Sequence, residues 1–227
     1  MAFFKIKGVI PPMITPFDEN DAVDYEKHVN NLEKWNEYDL AGYLVLGSNS
    51  ETAYLTEEEK LKLVELTVKH AKEGKIVMAG TGMESTSETI ALTNKAADLG
   101  AHCALILTPN YYGGKMNDEA LINFFTEVAD NTKIPVLIYN VTKFTHVNIS
   151  PKAVSVLAKH PNIIGMKDSS GDIPQLVNFK RAVGNEEFNL MVGTASAWFP
   201  ALTLGIEASV MALVNCCPQE CVDVQKE

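Results

Sequence analysis

Short apolar runs alternate with longer amphipathic segments along the whole chain. The runs are rich in valine, isoleucine and leucine, which is typical of parallel strands that are buried on both faces. The longer segments carry apolar residues at helical spacing, as Tyr25, Val29 and Leu32 do in the first of them. The pattern predicts eight strand–helix pairs, whose strands lie in GVIPPMITPF, AGYLVLG, KIVMAGTG, AHCALILTP, PVLIYNV, IIGMKDSS, FNLMVGTA and EASVMALVNCC.

Residues typical of helix ends support this division. Thr56 precedes a run of glutamates and predicts the N-cap and first turn of a helix, and Gly74 predicts its C-terminal cap. Pro151 suits the first turn of a later helix. The eighth helix, in PQECVDVQKE, would reach the last residue of the sequence.

Eight such pairs favour a closed (β/α)8 barrel, the TIM barrel, over an open sheet. A doubly wound sheet is the alternative, but the glycine-rich strand end AGTGMEST lacks the third glycine of a dinucleotide fingerprint. No Ser/Gly linker or low-complexity stretch interrupts the alternation. We therefore expect a single α/β domain over residues 1–227.

Charge and composition narrow the classes of partner. A formal net charge of −10 argues against binding to nucleic acids or acidic membranes. The N-terminal MAFFKIKG does not resemble a signal or transit peptide, and no apolar run reaches the roughly 20 residues of a membrane helix. We expect a cytoplasmic protein. The four cysteines lack metal-site spacing and are expected to be reduced.

The ends of the predicted strands carry the candidate chemistry, because active sites of such barrels lie at the carboxyl ends of their strands. Clusters of histidine and carboxylate with metal-ligand spacing are absent from these ends, as are nucleophile-elbow and P-loop patterns, so no metal or other cofactor is expected. The strand ends read TPF, GSNSE, GTG, TPNYY, YN, KDSS and GTAS.

Lys167 closes the sixth apolar run. By itself this placement is typical of a solvated strand end, just as Tyr139 alone is compatible with a core aromatic and GSNSE alone with a helix cap. A buried lysine, however, has a lowered pKa and can condense with a ketone, and the resulting iminium stabilises a carbanion on the adjacent carbon. The joint placement of these motifs on strand ends favours imine chemistry without a metal.

These motifs, in this order, resemble those of the dihydrodipicolinate synthase and N-acetylneuraminate lyase family of class I aldolases. GSNSE is similar to the family's G-[ST]-x-G-E loop, YN contains Tyr139, and GMKDSSGD surrounds Lys167. Within the family, GSNSE, AGTGMEST, TPNYYGGKM and HPNIIGMKDSSGD look most like the eukaryotic 4-hydroxy-2-oxoglutarate aldolases.

The resemblance implies a role for each matching residue. Lys167 would form the Schiff base, Tyr139 would relay a proton, and Ser48 and Asn49 would bind the carboxylate of a 2-oxo acid. The implied reaction is reversible cleavage of a 4-hydroxy-2-oxo acid, such as 4-hydroxy-2-oxoglutarate, into pyruvate and an aldehyde such as glyoxylate. A 2-keto-3-deoxy sugar acid is an alternative substrate for the same chemistry.

Three positions depart from the family pattern. Phe144 stands where dihydrodipicolinate synthases place an arginine that binds the carboxylate of aspartate semialdehyde, so that synthase activity is the less expected alternative. Thr142 replaces the usual proline. Ser50 replaces the motif glycine, which removes easy access to positive φ in that loop.

Assembly and length follow from the same resemblance. Tyr111, or its neighbour Tyr112, would reach into the site of an adjacent subunit in a homodimer or homotetramer. Family members continue with further C-terminal helices, so we expect this chain to be C-terminally truncated. A truncated, inactive barrel that acts as a binding partner is therefore an alternative of another class.

Overall fold

The computed structural model describes residues 3–227 and places eight parallel strands in one sheet. Consecutive strands pair from β2 to β8, and β8 pairs with β1. The backbone N–H groups of Ala41 and Leu44 donate to the carbonyls of Val9 and Pro11, at 3.0 Å each, which joins β1 to β2 and closes the barrel. The strands are β1 (Gly8–Ile10), β2 (Gly42–Val45), β3 (Ile76–Gly80), β4 (Cys103–Leu107), β5 (Val136–Asn140), β6 (Ile163–Asp168), β7 (Asn189–Val192) and β8 (Ala208–Val210).

Helices follow every strand, so the predicted (β/α)8 architecture is confirmed. The one-turn helix α5 is an addition that the pattern did not predict. The helices are α1 (Tyr25–Trp35), α2 (Glu57–His70), α3 (Thr86–Asp98), α4 (Asp118–Asn131), α5 (Thr142–Thr145), α6 (Pro151–Leu157), α7 (Ile173–Val183), α8 (Trp198–Thr203) and α9 (Pro218–Lys226).

Individual residues set the ends of β1 and α2 more narrowly than the hydrophobic pattern does. β1 stops at Ile10 within a longer apolar run, because the prolines that follow have no N–H to continue the ladder. α2 begins with the predicted cap, a capping box between Thr56 and Glu59. It ends at His70 and not beside Gly74, which instead adopts φ +83° in the turn after the helix.

Two apolar layers surround the strands. One fills the barrel lumen, with Ile10, Leu44, Met78 and Leu137 all fully buried. The other lies between the strands and the helices and holds most of the large buried side chains. Packed side chains therefore fill the lumen, and the polar groups near its carboxyl end lie on a rigid layer of apolar side chains. Within residues 3–227 no helix is both long and apolar enough to cross a membrane.

Candidate active site

Lys167 and Tyr139 meet at the carboxyl end of the barrel lumen. They are register partners across β5 and β6, and their side chains are 3% and 6% exposed. The Lys167 Nζ lies 4.3 Å from the centroid of the Tyr139 ring. The strand-end lysine is thus a buried amine held against a phenol, and the solvated alternative does not apply to it.

Burial changes the protonation of this amine. Desolvation lowers the pKa of Lys167 from its ordinary value, and the nearby Tyr139 hydroxyl partly opposes that shift. A lowered pKa increases the fraction of neutral, nucleophilic amine at neutral pH. The site can therefore supply a nucleophile that an exposed lysine cannot.

The GSNSE loop brings a hydroxyl to the same place. The Ser48 Oγ lies 3.4 Å from the Tyr139 Oη, and both residues line a cavity of about 50 Å³ at the mouth of the barrel. A wider cleft of about 370 Å³ adjoins it and shares Ser48 in its lining. Asn49 is exposed at the rim of the loop. Lys167 and Ser48 therefore both lie next to Tyr139, whereas Asn49 lies at the exposed rim of the loop.

Ser50 anchors this loop, although it replaces the motif glycine. Its buried Oγ donates to the Met13 carbonyl at 2.5 Å, and its own carbonyl accepts from Thr15 Oγ1 at 2.7 Å. The loop's positive φ angles fall instead on the flanking Leu46 (62°) and Glu51 (54°). The expected loss of positive φ at Ser50 therefore has no consequence, because the backbone does not need it there.

The doubled tyrosine lies outside this group. Tyr111 and Tyr112 are 78% and 71% exposed and form an edge-to-face pair, with ring centroids 4.9 Å apart. The Glu84 carboxylate holds their loop by accepting from the backbone N–H groups of Asn110 and Tyr111. Exposed aromatic pairs on an anchored loop are typical of an interface.

Phe144 lies on the wall of the wider cleft and is 56% exposed. It belongs to the one-turn helix α5, which starts at Thr142, where the family has a proline. The residues that line this cleft include one carboxylate, Glu51, and no lysine or arginine. A cation is therefore missing from the lining itself, and Lys143 lies beside it, with its Nζ 5.5 Å from the centroid of the Phe144 ring.

The sequence argument gave no role to Ser169 or Gly193, and both adjoin Lys167. The Ser169 Oγ is buried without a hydrogen-bond partner among the described residues. A Cβ built on Gly193 would lie 1.8 Å from that oxygen and 2.8 Å from the Lys167 Cε, so all three groups are packed together. Strand alternation is the signal that could have found Ser169, because residues i and i+2 share one face and Lys167 faces the lumen.

Comparisons with known proteins agree with this geometry. The dihydrodipicolinate synthetase family matches residues 5–227. The chain is 37% identical over 215 residues to the 4-hydroxy-tetrahydrodipicolinate synthase of Methanoculleus marisnigri, covering 93% of this chain and 72% of that protein. It is 36% identical over 219 residues to the protein of the same name from Thermodesulfovibrio yellowstonii, covering 96% and 74%.

Solved structures share the fold. A dihydrodipicolinate synthase from Acinetobacter baumannii, in complex with pyruvate, superposes with a TM-score of 0.93 at 29% identity, covering 97% of this chain and 75% of that one. The enzyme from Aquifex aeolicus gives a TM-score of 0.91 at 32% identity, covering 97% and 74%. These relatives carry the synthase name and not that of the 4-hydroxy-2-oxoglutarate aldolases.

Proposed function

The chain belongs to the dihydrodipicolinate synthetase family of class I aldolases, and from this premise we propose that it cleaves a 4-hydroxy-2-oxo acid reversibly into pyruvate and an aldehyde. In this reaction Lys167 forms the Schiff base, Tyr139 relays the proton, and Ser48 and Asn49 bind the 2-oxo acid carboxylate. The observation that carries the proposal is the buried amine of Lys167 beside the Tyr139 phenol.

Each step uses a group at the mouth of the barrel. The neutral amine attacks C2 of the 2-oxo acid, and loss of water leaves an iminium ion. Tyr139 gives its proton to the departing water, and the resulting phenolate, which accepts a hydrogen bond from Ser48, takes the proton of the C4 hydroxyl as the C3–C4 bond breaks. The bonding electrons enter the iminium to form an enamine, and the aldehyde leaves. The relay returns a proton to C3, and water then releases pyruvate and the free amine.

The carboxylate site rests on the turn that follows β2. Ser48–Ser50 form a short 3₁₀ turn, and the first N–H groups of such a turn have no acceptor within it. Together with the Ser48 hydroxyl, these N–H groups suit an oxyanion beside C2. Asn49 adds its amide to this carboxylate site from the exposed rim of the loop.

Phe144 and Ser169 support the choice of aldehyde. The cleft wall lacks the arginine that would hold aspartate semialdehyde, since Phe144 occupies that place. The Ser169 hydroxyl is buried beside Lys167 without a hydrogen-bond partner within residues 3–227, and we assign it as the donor to the oxygen that becomes the aldehyde. Glyoxylate, released from 4-hydroxy-2-oxoglutarate, is the first candidate, and a 2-keto-3-deoxy sugar acid is the alternative substrate.

A second candidate function is the condensation of pyruvate with aspartate semialdehyde. It is favoured by the name shared by the relatives from Methanoculleus marisnigri and Thermodesulfovibrio yellowstonii. In that case the distal carboxylate would need a cation from outside the described cleft wall. A catalytically inactive barrel that binds a partner is the alternative of a different class.

Assembly and location complete the proposal. The protein acts in the cytoplasm as a homodimer or homotetramer, with Tyr111, or Tyr112, reaching the neighbouring subunit's site. Support comes from the high exposure of both rings on an anchored loop. Size-exclusion chromatography and a thermal melt test this: a cooperatively melting oligomer supports it, and an aggregating or monomeric chain contradicts it.

The decisive experiment is borohydride trapping with pyruvate on the wild type and on Lys167→Ala, followed by intact mass and peptide mapping. We expect a pyruvyl adduct on Lys167 that the variant lacks. Side-by-side assays with 4-hydroxy-2-oxoglutarate, a 2-keto-3-deoxy sugar acid, and pyruvate with aspartate semialdehyde then rank the substrates. Absence of an adduct on folded wild-type protein would reject the aldolase and favour the partner-binding alternative.

A further inference from the structure

The residues that follow Tyr139 and Lys167 form a second pair on the outer side of the barrel wall. Asn140 and Asp168 are register partners one step beyond the site pair. Because successive side chains of a strand point to opposite faces, this pair faces the helices while Tyr139 and Lys167 face the lumen. The Asn140 Nδ2 donates to the Asp168 Oδ1 at 2.7 Å, so a side-chain bond crosses β5 and β6 directly behind the site.

Asp168 is a buried carboxylate whose burial is compensated by hydrogen bonds and by no ion pair within residues 3–227. It is 3% exposed, and the ion pairs found within residues 3–227 do not include it. Its other donors are the Gln175 Nε2 at 3.2 Å and the Ser170 Oγ at 2.5 Å. A buried charge is costly, and apolar side chains would pack a barrel wall at least as well. A requirement other than stability therefore accounts for this carboxylate.

Asn140 and Asp168 belong to a closed ring of four side chains. The Asn140 Nδ2 also donates to the Asn148 Oδ1 at 2.9 Å, and the Asn148 Nδ2 donates to the Gln175 Oε1 at 2.7 Å. The ring closes where Gln175 donates to Asp168. The Asn140 Oδ1 accepts from the backbone N–H of Ile149, which fixes the amide's orientation. We call Asn140, Asn148, Asp168 and Gln175 the outer clamp.

The irregular pairing between β5 and β6 indicates what the outer clamp does. Its register shifts between Val136 and Leu137, so the pairing is irregular before it reaches the site. After that shift, four residue pairs run in register from Leu137 and Gly165 onward, and the outer clamp adds a side-chain bond to the last of them, Asn140 and Asp168. A fixed register keeps Lys167 opposite Tyr139.

We propose that the outer clamp is a positioning device, in which Asp168 and Asn140 set the place of Lys167 relative to Tyr139 from behind the barrel wall. The inference rests on the proposed Schiff-base role of Lys167. It assigns the clamp residues no contact with substrate. Loosening the clamp should slow proton transfer in the imine, while pyruvate still binds.

Reciprocal substitutions separate this role from simple packing. Asp168→Asn replaces one acceptor oxygen by an NH2 donor, so either the bonds to Asn140 and Gln175 or the bond to Ser170 must change, and Asn140→Asp sets two carboxylates side by side. The double variant Asn140→Asp/Asp168→Asn restores one donor and one acceptor, and the ring is satisfied with its hydrogen bonds reversed once the amides of Asn148 and Gln175 turn over. Gln175→Ala, which removes a donor near the surface, serves if a single variant does not fold.

The experiment measures two rates on the wild type, both single variants and the double variant. They are borohydride trapping of the pyruvate imine and deuterium exchange into the pyruvate methyl group, the latter as a function of pyruvate concentration. We expect the maximal exchange rate of each single variant to fall about 10- to 100-fold, because small misplacements of reacting groups have effects of that size. The half-saturating pyruvate concentration should change less than about threefold, since ground-state binding is kept.

Asn162→Ala is the matched control. Asn162 is a buried side chain just before β6, and its amide donates to the Ala129 carbonyl. Its loss should lower the melting temperature without changing the exchange rate of the folded enzyme. The double variant Asn140→Asp/Asp168→Asn should return the maximal deuterium-exchange rate to within about threefold of the wild type.

Each result decides between the alternatives. Slow single variants, a rescued double variant and an unaffected Asn162→Ala establish the clamp. Wild-type rates in folded Asp168→Asn or in Gln175→Ala overturn it, and so does a folded double variant as slow as the singles. A wild type that traps no pyruvate rejects the proposed function, and the clamp with it, whereas trapping in the wild type combined with equal deuterium-exchange rates in all variants rejects the clamp alone.

Discussion

A Cβ atom on Gly193 would lie 2.8 Å from the Cε of Lys167. Real Cβ atoms do not approach other carbons so closely, so a glycine at the end of β7 is what leaves room for the lysine on β6. The backbone N–H of Gly193 donates to the Asp168 carbonyl at 2.7 Å, which holds it in place. The position of the Lys167 amine thus depends on the absence of a side chain at Gly193.

Gly193→Ala should therefore displace Lys167. We expect pyruvate trapping to slow at least about 10-fold, because the methyl group must push aside either the lysine or the Ser169 side chain. Gly114→Ala is the matched control, since a Cβ there meets nothing within 4 Å. Equal trapping rates in both variants would contradict this account of the site.

Lys167→Met should abolish trapping and stabilise the fold. Methionine has a similar length and no charge to desolvate, so we expect the free energy of unfolding to rise by about 1 kcal/mol near neutral pH. Urea denaturation of both proteins measures this value, and a less stable variant would mean that the lysine contributes to folding.

The same variant gives a pH test. The folded-state pKa of Lys167 is lowered by burial, so between the folded and unfolded pKa values the unfolded chain binds more protons. Wild-type stability must then rise with pH through that window, and Lys167→Met lacks this contribution. The stability advantage of the variant should shrink as the pH rises toward 10.5, the ordinary pKa of lysine, and an advantage that grows would contradict the lowered pKa.

Ser169→Ala removes a buried hydroxyl that has no hydrogen-bond partner within residues 3–227. The fold should keep or slightly raise its melting temperature, because no hydrogen bond is lost. If the hydroxyl donates to the aldehyde oxygen, cleavage of the 4-hydroxy-2-oxo acid should slow about 10- to 100-fold while pyruvate trapping stays near the wild-type rate. An equal loss in both assays would instead place Ser169 in imine formation.

His28 predicts an acid-labile contact between α1 and α2. Its Nε2 lies 2.9 Å from the Thr67 Oγ1, which itself donates to the Leu63 carbonyl. Nε2 must therefore carry the proton, and Nδ1 is buried without a partner among the described residues. Burial, with a smaller contribution from the charge of His70, lowers the pKa of His28 to about 4.

The lowered pKa of His28 determines whether the free energy of unfolding rises or falls with pH. Between the ordinary pKa of 6.5 and the folded value of about 4, the unfolded chain binds a proton that the folded chain does not. Stability is therefore complete above pH 6.5 and falls as the pH drops toward 4, by up to about 3 kcal/mol. His28→Leu should flatten this part of the curve in urea melts at pH 7 and pH 5, and an unchanged slope would contradict the assignment.

Much of the barrel was predictable from local patterns. The eight apolar runs and the Thr56 N-cap depend on neighbours within a few residues, and both appear as expected. The end of α2 at His70 and the one-turn helix α5 were not predictable in this way. Both depend on how the chain leaves one element and packs on the next, which no short pattern records.

The sequence by itself determined the fold class and the residue types at the strand ends, because alternation and hydrophobicity are properties of the chain order. The family motifs added candidate roles for Lys167 and Tyr139. Only the tertiary structure decided that Lys167 is buried, that Ser169 and Gly193 adjoin it, and that Asn140 and Asp168 join behind it. These relations involve residues that are distant in sequence, and closure of the barrel brings them together.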